Sequence, residues 1–103
     1  MVSLSTKECL GKNGRLSVIL PAYNLGSCIY DNILAVAKEL NDIPFELVPV
    51  DDGSTDNTAL EIERAMSALP DGVVVPVVLK KNKGKGAALT AGLRASSGSH
   101  IML

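Results

Sequence analysis

Three short stretches of this 103-residue chain carry side chains able to do chemistry. "PAYN", Pro21 to Asn24, offers an aromatic ring and an amide. "VDDGSTDNT", Val50 to Thr58, sets the carboxylates of Asp51 and Asp52 side by side, then adds a glycine, hydroxyls and a further acid. "KKNKGKG", Lys80 to Gly86, offers cations on a glycine-rich backbone. Together these suit a nucleotide. The Tyr23 ring can stack on a base, and a carboxylate can accept an imide or amino proton or a ribose hydroxyl. Lysines and free backbone N–H groups ahead of a helix can hold phosphate. The residues alone also allow a plainer reading. Asp-Gly and Ser-Thr-Asp are ordinary turn and cap residues, a lysine run is commonly a solvated face, and a lone tyrosine commonly packs.

The elements that must position these stretches follow from hydrophobic patterning. "RLSVILP" predicts a strand from Leu16 to Leu20, apolar on both faces as a buried parallel strand is. A helix from Ser27 to Asn41 follows, with Ile29, Ile33, Val36 and Leu40 on one face and Ser27 as its cap. "FELVPV" is the second strand. "STDNT" caps a second helix that buries Ile62, Ala65, Met66 and Leu69, with Asp56 as a first-turn acid complementing its dipole. "VVVPVVL", Val73 to Leu79, is the third strand. A third helix spans Lys85 to Ser97, where Gly98 suits a left-handed terminus, and "HIML" begins a fourth strand. Alternation of strand and helix predicts a parallel α/β sheet with right-handed crossovers. Pro49 and Pro76 each remove a ladder donor, so their strands are expected to be short, bulged or at an edge. Ligands of such sheets bind beyond the carboxyl ends of the strands, and all three polar stretches lie there.

Composition bounds the rest. An apolar share of 47% against 20% charged residues predicts one globular domain, with residues 1–14 as a loose arm and residues 15–103 as the domain. The net charge of −1 argues against a nucleic-acid binder. The charge is uneven, however: Lys80, Lys81, Lys83, Lys85 and Arg94 stand together with no acid among them. Cys9 and Cys28 have no metal spacing, and no signal peptide is evident. Free thiols in a reducing, cytoplasmic compartment are the expectation. No apolar run is long enough to span a bilayer. Cys28 at a helix start has no base beside it, and His100 in a strand reads as a packing or surface residue.

Familiar phosphate motifs fail. "GKGAAL" has Leu89 where a dinucleotide fingerprint needs its third glycine, and lacks the glycine and hydroxyl of a Walker loop. A phosphoacceptor domain of receiver type is disfavoured, because Pro21 to Asn24 holds no acid and lysines follow the third strand.

In order and spacing, "LSVILPAYNLGSCI", "FELVPVDDGSTDNT" and "NKGKGAALTAGLRASSGSHIML" resemble the opening of family 2 glycosyltransferases, and within them the polyprenyl- or dolichyl-phosphate sugar transferases. The resemblance covers Leu16 to Leu103. It implies the parallel-sheet, Rossmann-like nucleotide-binding half of a glycosyltransferase A-type fold, truncated after the fourth strand. By it, Pro21, Ala22 and Tyr23 line a base pocket with Asn24 close by, and Asp52 binds the base edge. Asp51, Gly53 and Ser54 shape that turn, and Asn82, Lys83, Gly84 and Lys85 border the nucleotide or its phosphates. The implied donor is a UDP- or GDP-linked sugar and the implied acceptor a polyprenyl phosphate.

The sequence also departs from that family. Leu25, Gly26 and Ser27 stand where acids usually follow the Tyr-Asn pair, and Pro49 interrupts a strand. The family's Asp-x-Asp, which holds Mg²⁺ or Mn²⁺, is expected just after "HIML", so this chain alone is expected to bind no metal and to be inactive. The alternative reading is a non-catalytic nucleotide-binding module, or one that self-assembles into a homo-oligomer through its open sheet edge.

Overall fold

The computed structural model describes residues 14–103, so the arm expected over residues 1–14 lies, apart from Gly14, outside the described residues, as does Cys9. The described chain alternates strand and helix throughout. β1 is Leu16–Ala22, α1 Ile29–Glu39, β2 Phe45–Asp52, α2 Thr58–Ala68, β3 Val77–Leu79, α3 Lys85–Ala95 and β4 His100–Met102. The four strands form one sheet in the order β3-β2-β1-β4, and every pairing is parallel. This is the α/β arrangement that the sequence predicts.

Two cores flank the sheet because successive strand residues point to opposite faces. On one face Leu16, Val18, Ala22 and Leu47 pack against Ile29, Ile33 and Ala37 of α1 and Ile62 and Ala65 of α2. On the other, Ile19, Val48 and Val50 pack against Ala88 of α3. Ile19 and Ile33 are fully buried, and truncating either to Ala would cost about 2–5 kcal/mol. No helix among the described residues is long and apolar enough to cross a membrane.

Several local expectations are corrected. α1 starts at Ile29 rather than Ser27 and ends at Glu39 rather than Asn41; Ser27 does not cap it, since Cys28 occupies the cap position without a side-chain bond. Ala37 joins Ile29, Ile33 and Leu40 as buried, while Val36 packs against the same core only partly buried. In α2 the buried set is Thr58, Ile62 and Ala65, while Met66 is exposed. α3 ends at Ala95, two residues before the expected Ser97. Gly98 is not left-handed. Its need is closeness: a Cβ there would lie 2.4 Å from Ser17 Oγ and 2.7 Å from the Arg15 carbonyl.

The prolines divide. β3 is three residues long and at the sheet edge, as Pro76 predicts. Pro49, by contrast, lies inside the eight-residue, interior β2. The backbone explains how this is possible. Leu47 donates its N–H to the Val73 carbonyl and accepts from Val75 N–H, so its polar groups turn toward the β3 side. Pro49, two residues on, turns the same way, and its missing N–H falls in the gap before β3 begins.

Candidate functional site

Asp51 and Asp52 are adjacent on a strand, so their side chains leave opposite faces of the sheet. Both are buried, at 3% and 5% exposure. Asp51 Oδ1 accepts the Ser54 N–H at 2.9 Å and closes the turn after β2. Gly53 allows that turn with φ at 69°, and a Cβ there would meet Asn82 N at 2.2 Å. The β2 and β3 loops touch there.

Asp52 faces α3. Its Oδ1 accepts the Lys83 N–H at 2.9 Å, and its Oδ2 accepts the Gly84 N–H at 3.1 Å and Asn82 Nδ2 at 3.2 Å. A carboxylate has about four acceptor positions, so roughly one remains for a ligand. The glycine-rich loop is thus wrapped around an internal anion.

Asn24 ties the first rim loop to the second. Its backbone N–H donates to Ser54 Oγ at 2.9 Å, and its Oδ1 accepts the Thr55 N–H at 2.9 Å. It holds a left-handed φ of 52°, the sole such non-glycine among the described residues. Asp56 extends the same seam: Oδ2 accepts the Gly26 N–H at 3.0 Å, while Oδ1 accepts from the Thr58 N–H and hydroxyl. The Thr58 hydroxyl bond is foremost in holding the Asp56 pKa below its ordinary value. Asp56 precedes the helix, whose first-turn acid is Glu61, so the expected dipole acid is instead a clasp between loops. Gly26 fits because a Cβ would lie 1.8 Å from Asn57 Oδ1.

Between these loops and α3 lies an open cleft of about 360 Å³, lined by Pro21, Ala22, Tyr23, Asp52, Asn82, Gly84, Lys85 and Ala88. Tyr23 stands half-exposed at the mouth. Seven of the twelve residues singled out in the sequence line this cleft. Asn24, Asp51, Gly53 and Ser54 shape the loops behind it. Lys83 gives its backbone to Asp52, and its side chain lines a separate hollow with Leu79, Lys80 and Lys81. Ala88 was missed in the sequence; its only signal is its place one turn beyond Lys85 in a helix that opens on the rim.

The family model for glycosyl transferase family 2 matches residues 17–103. The chain belongs to glycosyltransferase family 2. It is 33% identical over 91 residues to the undecaprenyl-phosphate 4-deoxy-4-formamido-L-arabinose transferase of Serratia proteamaculans, covering 85% of this chain and 27% of that protein. It is 36% identical over 95 residues to the dolichyl-phosphate beta-glucosyltransferase of Dictyostelium discoideum, covering 85% of this chain and 29% of that one. Among solved structures, the mannosyltransferase of Pyrobaculum calidifontis in complex with GDP-Man and Mn²⁺ superposes with a TM-score of 0.76 at 30% identity, over 89% of this chain and 27% of that one. Glucosyl-3-phosphoglycerate synthase of Mycobacterium tuberculosis, with Mn²⁺ and UDP, gives 0.71 at 27% identity over 97% and 36%. The chain therefore spans between 27% and 36% of the length of these proteins.

Mn²⁺ is present in both of those solved structures. The described residues here do not fit one: no group of three or more His, Cys, Asp or Glu side chains converges. Asp51 and Asp52 diverge, and both are engaged by N–H donors.

Proposed function

We propose that this chain is the nucleotide-sugar-binding portion of a family 2 glycosyltransferase, which moves a sugar from a nucleoside diphosphate donor to a polyprenyl phosphate. The observation that carries the reading is the cleft itself, where the half-exposed Tyr23 ring, the Asp52 carboxylate and the Lys85 ammonium border one space. Tyr23 stacks on the base, and the acceptor position left on Asp52 takes one proton from the base edge. Asn82 and Gly84 border the nucleotide, and Lys85 holds phosphate at the start of α3, where the helix dipole favours an anion. Asn24, Asp51, Gly53, Ser54 and Lys83 keep those groups in place. Pro21 and Ala22 form the wall on the β1 side.

The relatives named for undecaprenyl and dolichyl phosphate support a polyprenyl-phosphate acceptor. Such an acceptor would bring the protein to the cytoplasmic face of a membrane. The relatives solved with GDP-Man and with UDP support a nucleoside diphosphate donor, and their Mn²⁺ supports a metal held by the longer protein. The exposed β4 edge offers the surface for a homo-oligomer.

Calorimetric titration of UDP and GDP into the chain and into Tyr23→Ala tests the reading. The Tyr23 side chain makes no hydrogen bond among the described residues, so its loss should leave folding intact while weakening binding by about 1–3 kcal/mol, the range for one stacked base. Equal affinities would remove Tyr23 from the site, and no binding of either nucleotide by the intact chain would remove the function.

A further inference from the structure

α3 forms one wall of the cleft and packs on the sheet through mostly small side chains, with Leu89, Ala91 and Ala95 only partly buried against the Ile19, Val48 and Val50 core. Its sequence, "KGAALTAGLRA", contains four alanines and two glycines, and only Ala88 and Gly92 are buried. Gly92 lets the helix approach closely: a Cβ there would meet Ile19 Cγ2 at 2.5 Å. Small side chains bury little area, so they resist sliding and swinging weakly. α1, by contrast, buries two isoleucines.

Polar restraints act instead at the two ends of α3, and both come from β2. At the N-terminal end, Asp52 accepts the N–H groups of Lys83 and Gly84. At the C-terminal end, Glu46 Oε2 accepts the Ser97 N–H at 2.6 Å and the Ser17 hydroxyl at 2.6 Å, and Oε1 accepts the Ser97 hydroxyl at 2.8 Å. Ser17 Oγ in turn accepts the Gly98 N–H at 2.8 Å. Glu46 is only 2% exposed, and Arg15 stands 3.7 Å away.

The spacing fits. Glu46, Val48, Val50 and Asp52 share one face of β2, and the six steps from Glu46 to Asp52 span about 20 Å. The eleven residues of α3 span about 16 Å, with a turn at each end. A buried carboxylate at the negative end of a helix is unfavourable unless donors compensate it. Four of the five contacts at this one do, through two serines, a backbone N–H and an arginine, and the fifth passes the restraint to Gly98.

We infer that Glu46 is a positioning residue for the cleft, acting through α3 at the far end of the sheet from the rim. With Asp52 it straps the helix at two points, so that Lys85 and Ala88 stand at a fixed distance from Tyr23. The effect on ligand rests on the nucleotide reading above; the effect on the helix does not.

Hydrogen exchange and nucleotide titration on Glu46→Leu and Glu46→Gln separate the two. Leu fills the volume without any acceptor, whereas Gln keeps one acceptor oxygen. In Glu46→Leu, exchange at Lys83 and Gly84 should rise about tenfold relative to the β1–β2 amides, and affinity for UDP or GDP should fall by roughly three- to tenfold. Glu46→Gln should recover most of both. Faster exchange confined to residues 96–102, or a uniform rise over every amide, would overturn the inference by making Glu46 a local or a global support only. If the intact chain binds neither nucleotide, the functional reading fails while the exchange at Lys83 and Gly84 still decides this one. If Glu46→Leu does not fold, the same comparison is made on Ser97→Ala, which removes one donor and should raise exchange at Lys83 and Gly84 by a smaller factor; no change there overturns the strap.

Discussion

Asn24 and Thr55 join the first rim loop to the second: the Asn24 side-chain oxygen takes the Thr55 N–H at 2.9 Å. Asn24 accepts a left-handed backbone to do so. The side-chain bond and the backbone strain oppose each other, and two substitutions separate them. Asn24→Ala loses the bond and keeps the strain, and should destabilise by about 2 kcal/mol. Asn24→Gly loses the bond but relaxes the backbone, and should cost about 1 kcal/mol less. Denaturant midpoints measure both; equal losses would mean that the strain is not felt.

Gly53 on the second loop and Gly84 on the third provide a similar contrast. Both have positive φ, but a Cβ on Gly53 would strike the Lys81–Asn82 backbone, whereas nothing lies within 4 Å of one on Gly84. Gly84→Ala should cost about 1–2 kcal/mol for the backbone alone. Gly53→Ala should cost roughly 2–5 kcal/mol, because overpacking adds to it. Similar thermal shifts for the two would show that the loops part easily.

Acid should weaken the fold through Glu46. Burial pushes its pKa up, but the Ser17 and Ser97 donors and the Arg15 guanidinium outweigh burial and hold it below the ordinary 4.5. A group with a lower pKa in the folded state stabilises fully above its unfolded value, and that contribution is lost as pH falls through the folded value. Melting temperature should therefore decline below pH 4.5, and Glu46→Gln should flatten the decline. An unchanged acid limb in the variant would place the sensitivity on other carboxylates.

Lys85 lines the cleft and Lys83 does not. If a diphosphate sits beside Lys85, nucleotide affinity falls with salt, since exposed charges are screened within about 8–10 Å. Lys85→Gln should flatten that dependence more than Lys83→Gln does. The reverse order would move the phosphates to the outer hollow.

The sequence made the sheet and rim legible because both depend on local signals: apolar runs, helical periodicity and polar loops at strand ends. What it concealed depends on residues far apart. Glu46 reads as a stray acid in "FELVPV", since its partners Ser17 and Ser97 lie 29 and 51 positions away. Asp52 reads as a free ligand group until the loop it holds is seen. Ser27 has the composition of a cap but not the geometry, and Ala88 has no chemistry to announce it. Pro49 misled because the ladder position it lacks cannot be known before its neighbour is known.

That last position has a consequence for growth of the sheet. The β2–β3 pairing keeps a constant offset, Leu47 with Val74 and Val50 with Val77, which sets Pro49 opposite Pro76. Pro49 interrupts the ladder on the inner side of the third strand, and Pro76, one step out of phase, withholds a donor from its outer side. An incoming strand meets a template with a missing rung there, and Lys80 and Lys81 follow directly. At β4 three exposed residues carry no such guard. The flank of β3 is thus poorly suited to take up another strand.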